Sequence, residues 1–191
     1  MIKYVLNSGG FRDKPIQGRD FVTEIISGHG NKPKILISIF AETRETWQTR
    51  YQKTTDRFTE FLPPEIEPVY EMASDDDFEN QVMRNDIVFF YGGDVEVLAG
   101  RLQKFDILNI FEGKTIAGTS AGSAVWGQAY WEPYTPAIRS ALGIIPMKFI
   151  PHFGAGDKID WDQVLQELQS HGDQSLEIHA MPEGDYVVIH Q

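Results

Sequence analysis

The stretch KTIAGTSAGSAV, residues 114–125, decides the fold. Its first part, 114–117, has the length and composition of a strand and leads into Gly118-Thr119-Ser120-Ala121-Gly122. The pattern G-x-S-x-G between a strand and a helix describes a nucleophile elbow, in which the glycines permit a sharp turn that presents the serine hydroxyl. The backbone N–H of Ala121 then faces a developing oxyanion. The competing interpretation is a glycine-rich turn that packs tightly or binds a phosphate.

Apolar runs of strand length alternate with amphipathic stretches along the rest of the chain. The predicted strands are 2–6, 34–40, 66–70, 86–91 and 114–117. The predicted helices are 19–27, 46–61, 75–83, 95–105, 123–130 and 161–170. This alternation predicts an α/β fold with a mainly parallel sheet covered by helices on both faces. Because such folds bind ligands beyond the carboxyl ends of their strands, the loops of interest are 7–10, 41–45, 92–95 and 118–122.

The carboxyl-terminal third has a less regular pattern. Residues 131–151 contain three prolines and are expected to be irregular. Residues 177–181 and 186–190 are predicted as two strands around the turn 182–185, paired as a terminal ribbon or edge pair. No internal repeat divides the chain, and its 191 residues predict one domain spanning 1–191.

Composition and charge exclude several classes of function. The chain has 17 Lys and Arg against 28 Asp and Glu, a formal net charge of −11, which weighs against nucleic acid and anionic membrane surfaces as partners. No segment approaches the roughly 20 apolar residues of a membrane span, and no signal-peptide pattern is seen. Cysteine is absent, which excludes disulfides and thiol nucleophiles. We expect a cytoplasmic protein that needs neither metal nor cofactor.

A serine nucleophile needs a base, which is usually histidine. Among the five histidines, His152 follows the apolar run 147–150 and is placed at a strand end, with His179 as its main competitor. An acid must orient the histidine. Glu183, in the turn between the last two predicted strands, and Glu132, downstream of the elbow, are the two candidates, and spacing does not choose between them.

A second glycine pair, Gly92-Gly93, directly follows a predicted strand and precedes Asp94. Its N–H groups are suited to supply the other half of an oxyanion hole. The alternative is an ordinary strand-to-helix turn with Asp94 as the N-cap residue.

Four segments of this chain resemble the dipeptidase E / cyanophycinase family of serine peptidases: YGGDVEVL at 91–98, GTSAGSAV at 118–125, IPHFG at 150–154 and MPEGDYVVI at 181–189. The resemblance implies a three-layer sandwich of the class I glutamine amidotransferase-like, flavodoxin-like type. It also implies hydrolysis of small peptides through an acyl-enzyme, with Ser120 as nucleophile, His152 as base, and Gly93 and Ala121 as oxyanion donors. In cyanophycinase-like members the acid lies at the turn matching Glu183. Dipeptidase E-like members use an Asp after the elbow, which this chain lacks, so Glu183 is favoured.

The sequence departs from both branches of that family. Asp94-Val95 replaces the Asn-Thr pair usual in dipeptidase E relatives, and the loop after His152 is short, with Lys158 as its only cation. Neither Asp-X dipeptide nor cyanophycin specificity therefore transfers. Gly92, Asp94 and Lys158 are the expected substrate contacts. The alternatives are an esterase or amidase with the same triad, and a non-catalytic relative that binds a ligand in the same crevice.

Four aromatic residues follow the elbow: Trp126, Tyr130, Trp131 and Tyr134. They are expected to pack the following segment onto the sheet. The functional alternatives are a pocket wall or the face of a homodimer.

Overall fold

Two β-sheets organise residues 1–191, all of which are described by a computed structural model. The strands are β1 Lys3–Asn7, β2 Lys34–Ser38, β3 Val69–Met72, β4 Ile87–Phe90, β5 Thr115–Thr119, β6 Ala129–Glu132, β7 Ala137–Ser140, β8 Met147–Ile150, β9 Glu177–Ala180 and β10 Tyr186–His190. The helices are α1 Pro15–Ile26, α2 Trp47–Phe61, α3 Phe78–Arg84, α4 Val95–Leu102, α5 Ile107–Ile110, α6 Ala121–Ala124 and α7 Trp161–Ser170, with a 3₁₀ turn at Arg44–Thr46. None of the helices is both long and apolar enough to cross a membrane.

The larger sheet has six strands in the order β10-β1-β5-β4-β2-β3. The five strands β1 to β5 run parallel, and only β10 is antiparallel to its neighbour β1. The predicted mainly parallel sheet is therefore confirmed. Because parallel strands end at the same edge, the loops after β1, β2, β4 and β5 meet there.

Alternation along β4 shows that helices cover both faces of this sheet. Successive strand residues point to opposite faces, so Phe89 and Phe90 enter different layers. Phe89 packs edge-on against Phe58 of α2 with ring centroids 4.9 Å apart. Phe90 packs against Trp126 at 5.1 Å and against Phe78 of α3 at 6.4 Å. The fold is thus the expected three-layer α/β/α sandwich.

A second sheet occupies the region that was predicted to be helical and then irregular. Its four strands lie in the order β7-β6-β8-β9. The predicted helix 123–130 is wrong: α6 ends at Ala124, and β6 begins at Ala129. Tertiary packing explains the difference, because Trp131 of β6 and Ile150 of β8 bury themselves against Leu168 of α7 in a small core of their own.

The predicted pairing of the last two strands is also wrong. β9 runs parallel to β8 in the smaller sheet, whereas β10 pairs with β1 in the larger one. The turn between them is held by Asn7, whose side-chain Nδ2 donates to the carbonyls of Gly184 and Asp185, each at 3.0 Å. The turn therefore crosses the carboxyl edge of the larger sheet instead of closing a hairpin.

Candidate active site

Ser120 occupies the sharp turn between β5 and α6, with φ 52° and ψ −114°. Positive φ is rare in residues other than glycine and is often found at functional sites. The elbow glycines permit this turn because a Cβ on Gly118 would overlap the Gly122 carbonyl, and one on Gly122 would overlap the Phe90 carbonyl. The G-x-S-x-G spacing thus has a steric cause: backbone carbonyls fill the space that side chains at positions 118 and 122 would need.

A continuous row of hydrogen bonds joins Ser120, His152 and Glu183. Ser120 Oγ lies 3.0 Å from His152 Nε2, and His152 Nδ1 lies 3.0 Å from Glu183 Oε1. The carboxylate favours the tautomer in which Nδ1 carries the proton, which leaves Nε2 to accept from the serine hydroxyl. The side chains of His152 and Glu183 are 27% and 43% exposed, so solvent reaches the glutamate more than the histidine. This arrangement suits nucleophilic attack by serine.

The loop after β1 positions the backbone of His152. The buried Ser8 hydroxyl accepts from the His152 N–H at 2.7 Å and donates to the Met181 carbonyl at 2.6 Å. Ser8 thereby ties the ends of β8 and β9 to the end of β1. His152 itself has φ 55°, one of two positive values outside glycine, the other being that of Ser120.

The same loop positions the turn that carries Glu183. The Gly184 N–H donates to the Gly9 carbonyl at 2.7 Å. The Gly9 N–H donates to Asn7 Oδ1 at 2.8 Å, and Asn7 in turn holds the Gly184 carbonyl. The sequence identifies residues 7–10 only as a loop at the carboxyl edge. Their role as a support for both His152 and Glu183 had no local signal, because the partners lie more than a hundred residues away in the chain.

The second candidate acid, Glu132, lies apart from the histidine. It ends β6, and its Oε1 accepts the backbone N–H of Tyr134 at 3.0 Å. Of the two glutamates, only Glu183 contacts His152. The competing histidine, His179, lies within β9 and makes no contact with Ser120.

Two backbone N–H groups are available beside Ser120. Gly92 and Gly93 line the same cavity as Ser120, and the Gly93 N–H donates to no other group of the protein. Ala121 is the first residue of α6, where a backbone N–H has no partner within its own helix. Both expected oxyanion donors are therefore free. Asp94 caps α4 by accepting the Val97 N–H at 3.0 Å, as its N-cap interpretation predicts.

Ser120 and His152 line a cavity of about 260 Å³. Two guanidinium groups, those of Arg12 and Arg50, share it. Arg50 Nε lies 3.4 Å from Glu42 Oε1, whereas Arg12 forms no ion pair and lies 6.0 Å from the Tyr91 ring centroid. Arg12 is therefore an uncompensated cation beside the serine.

Neither arginine was found from the sequence. Arg12 lies in the connection between β1 and α1, just beyond the loop 7–10, and Arg50 belongs to α2, so neither falls within a motif. The expected cation, Lys158, is exposed on the loop after His152 and lines neither this cavity nor its neighbour. The short loop does not bring it to Ser120.

A larger cavity of about 640 Å³ adjoins the first and shares Glu42, Gly93 and Tyr134 with it. Of the four aromatic residues after the elbow, Trp126, Tyr130 and Trp131 are buried, as the packing interpretation predicts. Tyr134 is 88% exposed and contributes to both cavities. Asp94 and Glu132 also line the larger cavity.

The model for "Peptidase family S51" matches residues 5–191. The chain belongs to peptidase family S51. The S51 protein is accordingly a serine peptidase, and the resemblance to the dipeptidase E family is confirmed. A comparison with curated proteins found no match.

Two solved structures resemble the S51 protein in fold. A peptidase from an acI-B1 Actinobacterium has a TM-score of 0.69 at 19% identity, over 98% of this chain and 82% of that one. A protein from Listeria monocytogenes EGD-e assigned as a peptidase E has a TM-score of 0.66 at 16% identity, over 99% of this chain and 94% of that one. At these identities the likeness concerns the fold, which is consistent with the expected flavodoxin-like sandwich.

Proposed function

We propose that the protein hydrolyses small peptides through a triad of Ser120, His152 and Glu183. The observation that carries this proposal is the pair of 3.0 Å contacts that places His152 between the serine hydroxyl and the glutamate carboxylate. The strained elbow supports it, since it holds Oγ at the carboxyl edge of the sheet, where ligands of α/β folds bind.

In the first half of the reaction, Ser120 Oγ attacks the peptide carbonyl carbon while His152 Nε2 takes the hydroxyl proton. The Glu183 carboxylate accepts from Nδ1–H and stabilises the imidazolium that forms. Negative charge develops on the carbonyl oxygen, and the free N–H groups of Gly93 and Ala121 are the donors for it. Removal of one such donor typically lowers kcat by a factor of about 10² to 10³.

In the second half, His152 returns the proton to the leaving amine, and the C–N bond breaks to leave an ester on Ser120. Water then attacks this ester, with His152 again as the base. Collapse of the second tetrahedral intermediate releases the acid and regenerates the serine hydroxyl. The proton transfers of both halves use Ser120, His152 and Glu183, in which His152 already lies within hydrogen-bond distance of the other two side chains.

The cavity beside Ser120 supports a short peptide with a carboxylate near the scissile bond. Its volume of about 260 Å³ limits the size of the part that enters, and Arg12 offers a guanidinium without a protein partner. Guanidinium groups bind carboxylates through two parallel hydrogen bonds. We therefore place a substrate carboxylate, either terminal or on a side chain, against Arg12.

The proposal is tested with a panel of dipeptides and small esters, together with a serine-reactive phosphonate and the Ser120→Ala variant. We expect peptide turnover that Ser120→Ala abolishes and labelling of Ser120 seen by mass spectrometry. Ester turnover without peptide cleavage would show an esterase instead. Absence of both labelling and turnover would show a non-catalytic relative that binds its ligand in the same crevice.

A further inference from the structure

Asn7, the last residue of β1, is fully buried where the loops of the candidate site meet. Its backbone carbonyl accepts the N–H of Ser120 and the hydroxyl of Ser123, each at 2.9 Å. Ser123 is also fully buried and belongs to α6, so this carbonyl ties β1 both to the nucleophile and to the helix that follows it. The main chain of Asn7 therefore supports the elbow directly.

The side-chain amide of Asn7 uses all of its hydrogen-bonding capacity. Its Oδ1 accepts the Gly9 N–H at 2.8 Å and the Thr119 hydroxyl at 3.3 Å. Its Nδ2 donates to the carbonyls of Gly184 and Asp185, each at 3.0 Å. An amide offers two donor hydrogens and an oxygen with two lone pairs, so none of its four positions is left open.

The partners of this amide adjoin all three members of the proposed triad. Thr119 precedes the nucleophile and Gly184 follows the acid in the chain. Gly9 lies against the histidine ring, which would overlap any side chain at that position. The Asn7 side chain makes no hydrogen bond to a triad side chain itself, so any effect it has on the reaction is exerted through these neighbours.

The Glu183 carboxylate depends on its turn for its position. It is 43% exposed, and its contact with His152 is its only hydrogen bond to the protein. The turn is buried only at Gly184, between the exposed Glu183 and Asp185. Because one NH2 group of Asn7 binds the successive carbonyls of Gly184 and Asp185, it fixes the peptide unit that joins them. Without these two bonds the turn is free to present the carboxylate elsewhere.

We propose that Asn7 is a positioning residue, whose side-chain NH2 group keeps the Glu183 carboxylate in line with Nδ1 of His152. This inference rests on the proposed function, since it concerns how well that triad works. A purely structural role for Asn7 makes a different prediction: its substitution would lower stability without acting on the reaction through Glu183.

Asn7→Asp tests the donor half of the amide alone. The substitution keeps an oxygen for Gly9 and Thr119 but replaces the NH2 group by a second oxygen, which repels the two turn carbonyls. We expect kcat to fall by about tenfold to a hundredfold, because a displacement of about 1 Å can cost about 10² in rate. KM should change by less than about threefold, because the groups that bind substrate are not altered.

A double-mutant cycle shows whether the loss acts through Glu183. Glu183→Ala leaves no carboxylate to position, so Asn7→Asp should lower kcat by less than about threefold in that background. Asn7→Ser is measured beside Asn7→Asp, because its hydroxyl is uncharged and donates to only one of the two carbonyls. If one of the two variants fails to fold, the other decides the result by the same criteria.

Asn85→Asp is the matched control for general destabilisation. Asn85 is also buried, and its Nδ2 donates to Glu71 Oε2 at 2.7 Å and to the Gln81 carbonyl at 2.8 Å. It precedes β4, at the opposite edge of the larger sheet from the site. The same chemical change there should lower the melting temperature while kcat stays within about twofold of the wild-type value.

The tautomer of His152 provides a readout that needs no turnover. Nitrogen-15 chemical shifts of the ring at alkaline pH, assigned with a His152→Gln variant, show which nitrogen carries the proton. In the wild-type protein we expect the proton on Nδ1, as the contact with Glu183 requires. Asn7→Asp and Glu183→Ala should both shift the ring toward the tautomer protonated at Nε2, whereas Asn85→Asp should not.

The outcomes separate this inference from the proposed function. Equal losses of kcat for Asn7→Asp in the wild-type and Glu183→Ala backgrounds would overturn the positioning role, because Asn7 would then act independently of the acid. A wild-type kcat in the Asn7 variants, or a tautomer that does not respond to them, would overturn it as well. If the tautomer shifts as expected but the wild-type protein hydrolyses no peptide, the positioning role stands and the peptidase function fails.

Discussion

The imidazole of His152 occupies the space that a side chain on Gly9 would need. A Cβ built on Gly9 would lie 3.0 Å from each ring nitrogen and still closer to Cε1, and the φ of Gly9 is 122°. The loop after β1 therefore packs directly against the imidazole ring and limits its movement.

Gly9→Ala should lower kcat strongly, because the added methyl pushes the imidazole out of line with Ser120. A displacement of about 1 Å can cost about 10² in rate. Steady-state kinetics with the best dipeptide measures the loss. Gly28→Ala is the control, since Gly28 also has a positive φ, 91°, yet nothing lies within 4 Å of its Cβ position. An equal loss of kcat in both variants would show that backbone strain, not contact with His152, is responsible.

Glu183→Gln should reduce kcat by about tenfold to a hundredfold, since the amide still accepts from Nδ1 but no longer stabilises the imidazolium by charge. The partial exposure of Glu183 keeps this effect moderate, because solvent screens the pair. Asp185→Asn is the matched control: Asp185 lies two residues along the same turn and its side chain is exposed. A wild-type rate for Glu183→Gln would exclude Glu183 from the mechanism.

Arg12→Met should raise KM for a dipeptide with an acidic side chain by about tenfold, with a smaller change in kcat, because one bidentate ion pair is lost. Lys158→Met removes the same charge from the exposed loop after His152. If Lys158→Met raises KM and Arg12→Met does not, the substrate carboxylate binds at the loop after His152 and not at Arg12.

The free energy of unfolding should decrease as the pH is lowered from neutral to mildly acidic, in part because of His29. Burial lowers its pKa from 6.5; the charge of Asp86 opposes the shift, and those of Lys3 and Lys114 reinforce it. The unfolded chain therefore takes up this proton at higher pH than the folded one. The stabilisation from neutral His29 is complete above pH 6.5 and is lost as the pH falls through the lower, folded value.

The His29 effect is measured by chemical denaturation from pH 7.5 to 5. His29→Gln should flatten the decline, since glutamine keeps a polar partner for Thr115 Oγ1, which lies 2.8 Å from His29 Nε2, but does not titrate. His171→Gln, at an exposed histidine, serves as the comparison. An unchanged slope in His29→Gln would assign the pH dependence to other groups.

Local signals in the sequence were enough for the elbow and for the parallel strands. The continuous apolar runs that identified β4 and β5 reflect burial on both faces of the sheet. Gly118 is required by the carbonyl of Gly122, which is close in the chain, whereas Gly122 is required by the carbonyl of Phe90, which is distant in it. The choice of Glu183 depended on family resemblance instead, since spacing alone treated Glu132 as its equal.

The smaller sheet and the cavity walls had no comparable signal. Trp131 belongs to a strand only because Ile150 and Leu168 are there to pack against it, and such partners are set by the tertiary fold. Arg12 and Tyr130 reach the two cavities from loops and strands that the chain separates by more than a hundred residues. The prolines of residues 131–151 suggested irregularity, yet two strands, β7 and β8, lie within that range.

The turn that crosses between the two sheets has a consequence for the assembly of the site. Ser120 follows a strand of the larger sheet, His152 follows a strand of the smaller one, and Glu183 lies on the turn that links them. The nucleophile therefore gains both its partners only when the two sheets are packed against each other. Under the proposed mechanism, a form in which the smaller sheet has come away still carries the serine but cannot hydrolyse peptides, so hydrolysis itself reports that the two sheets are docked.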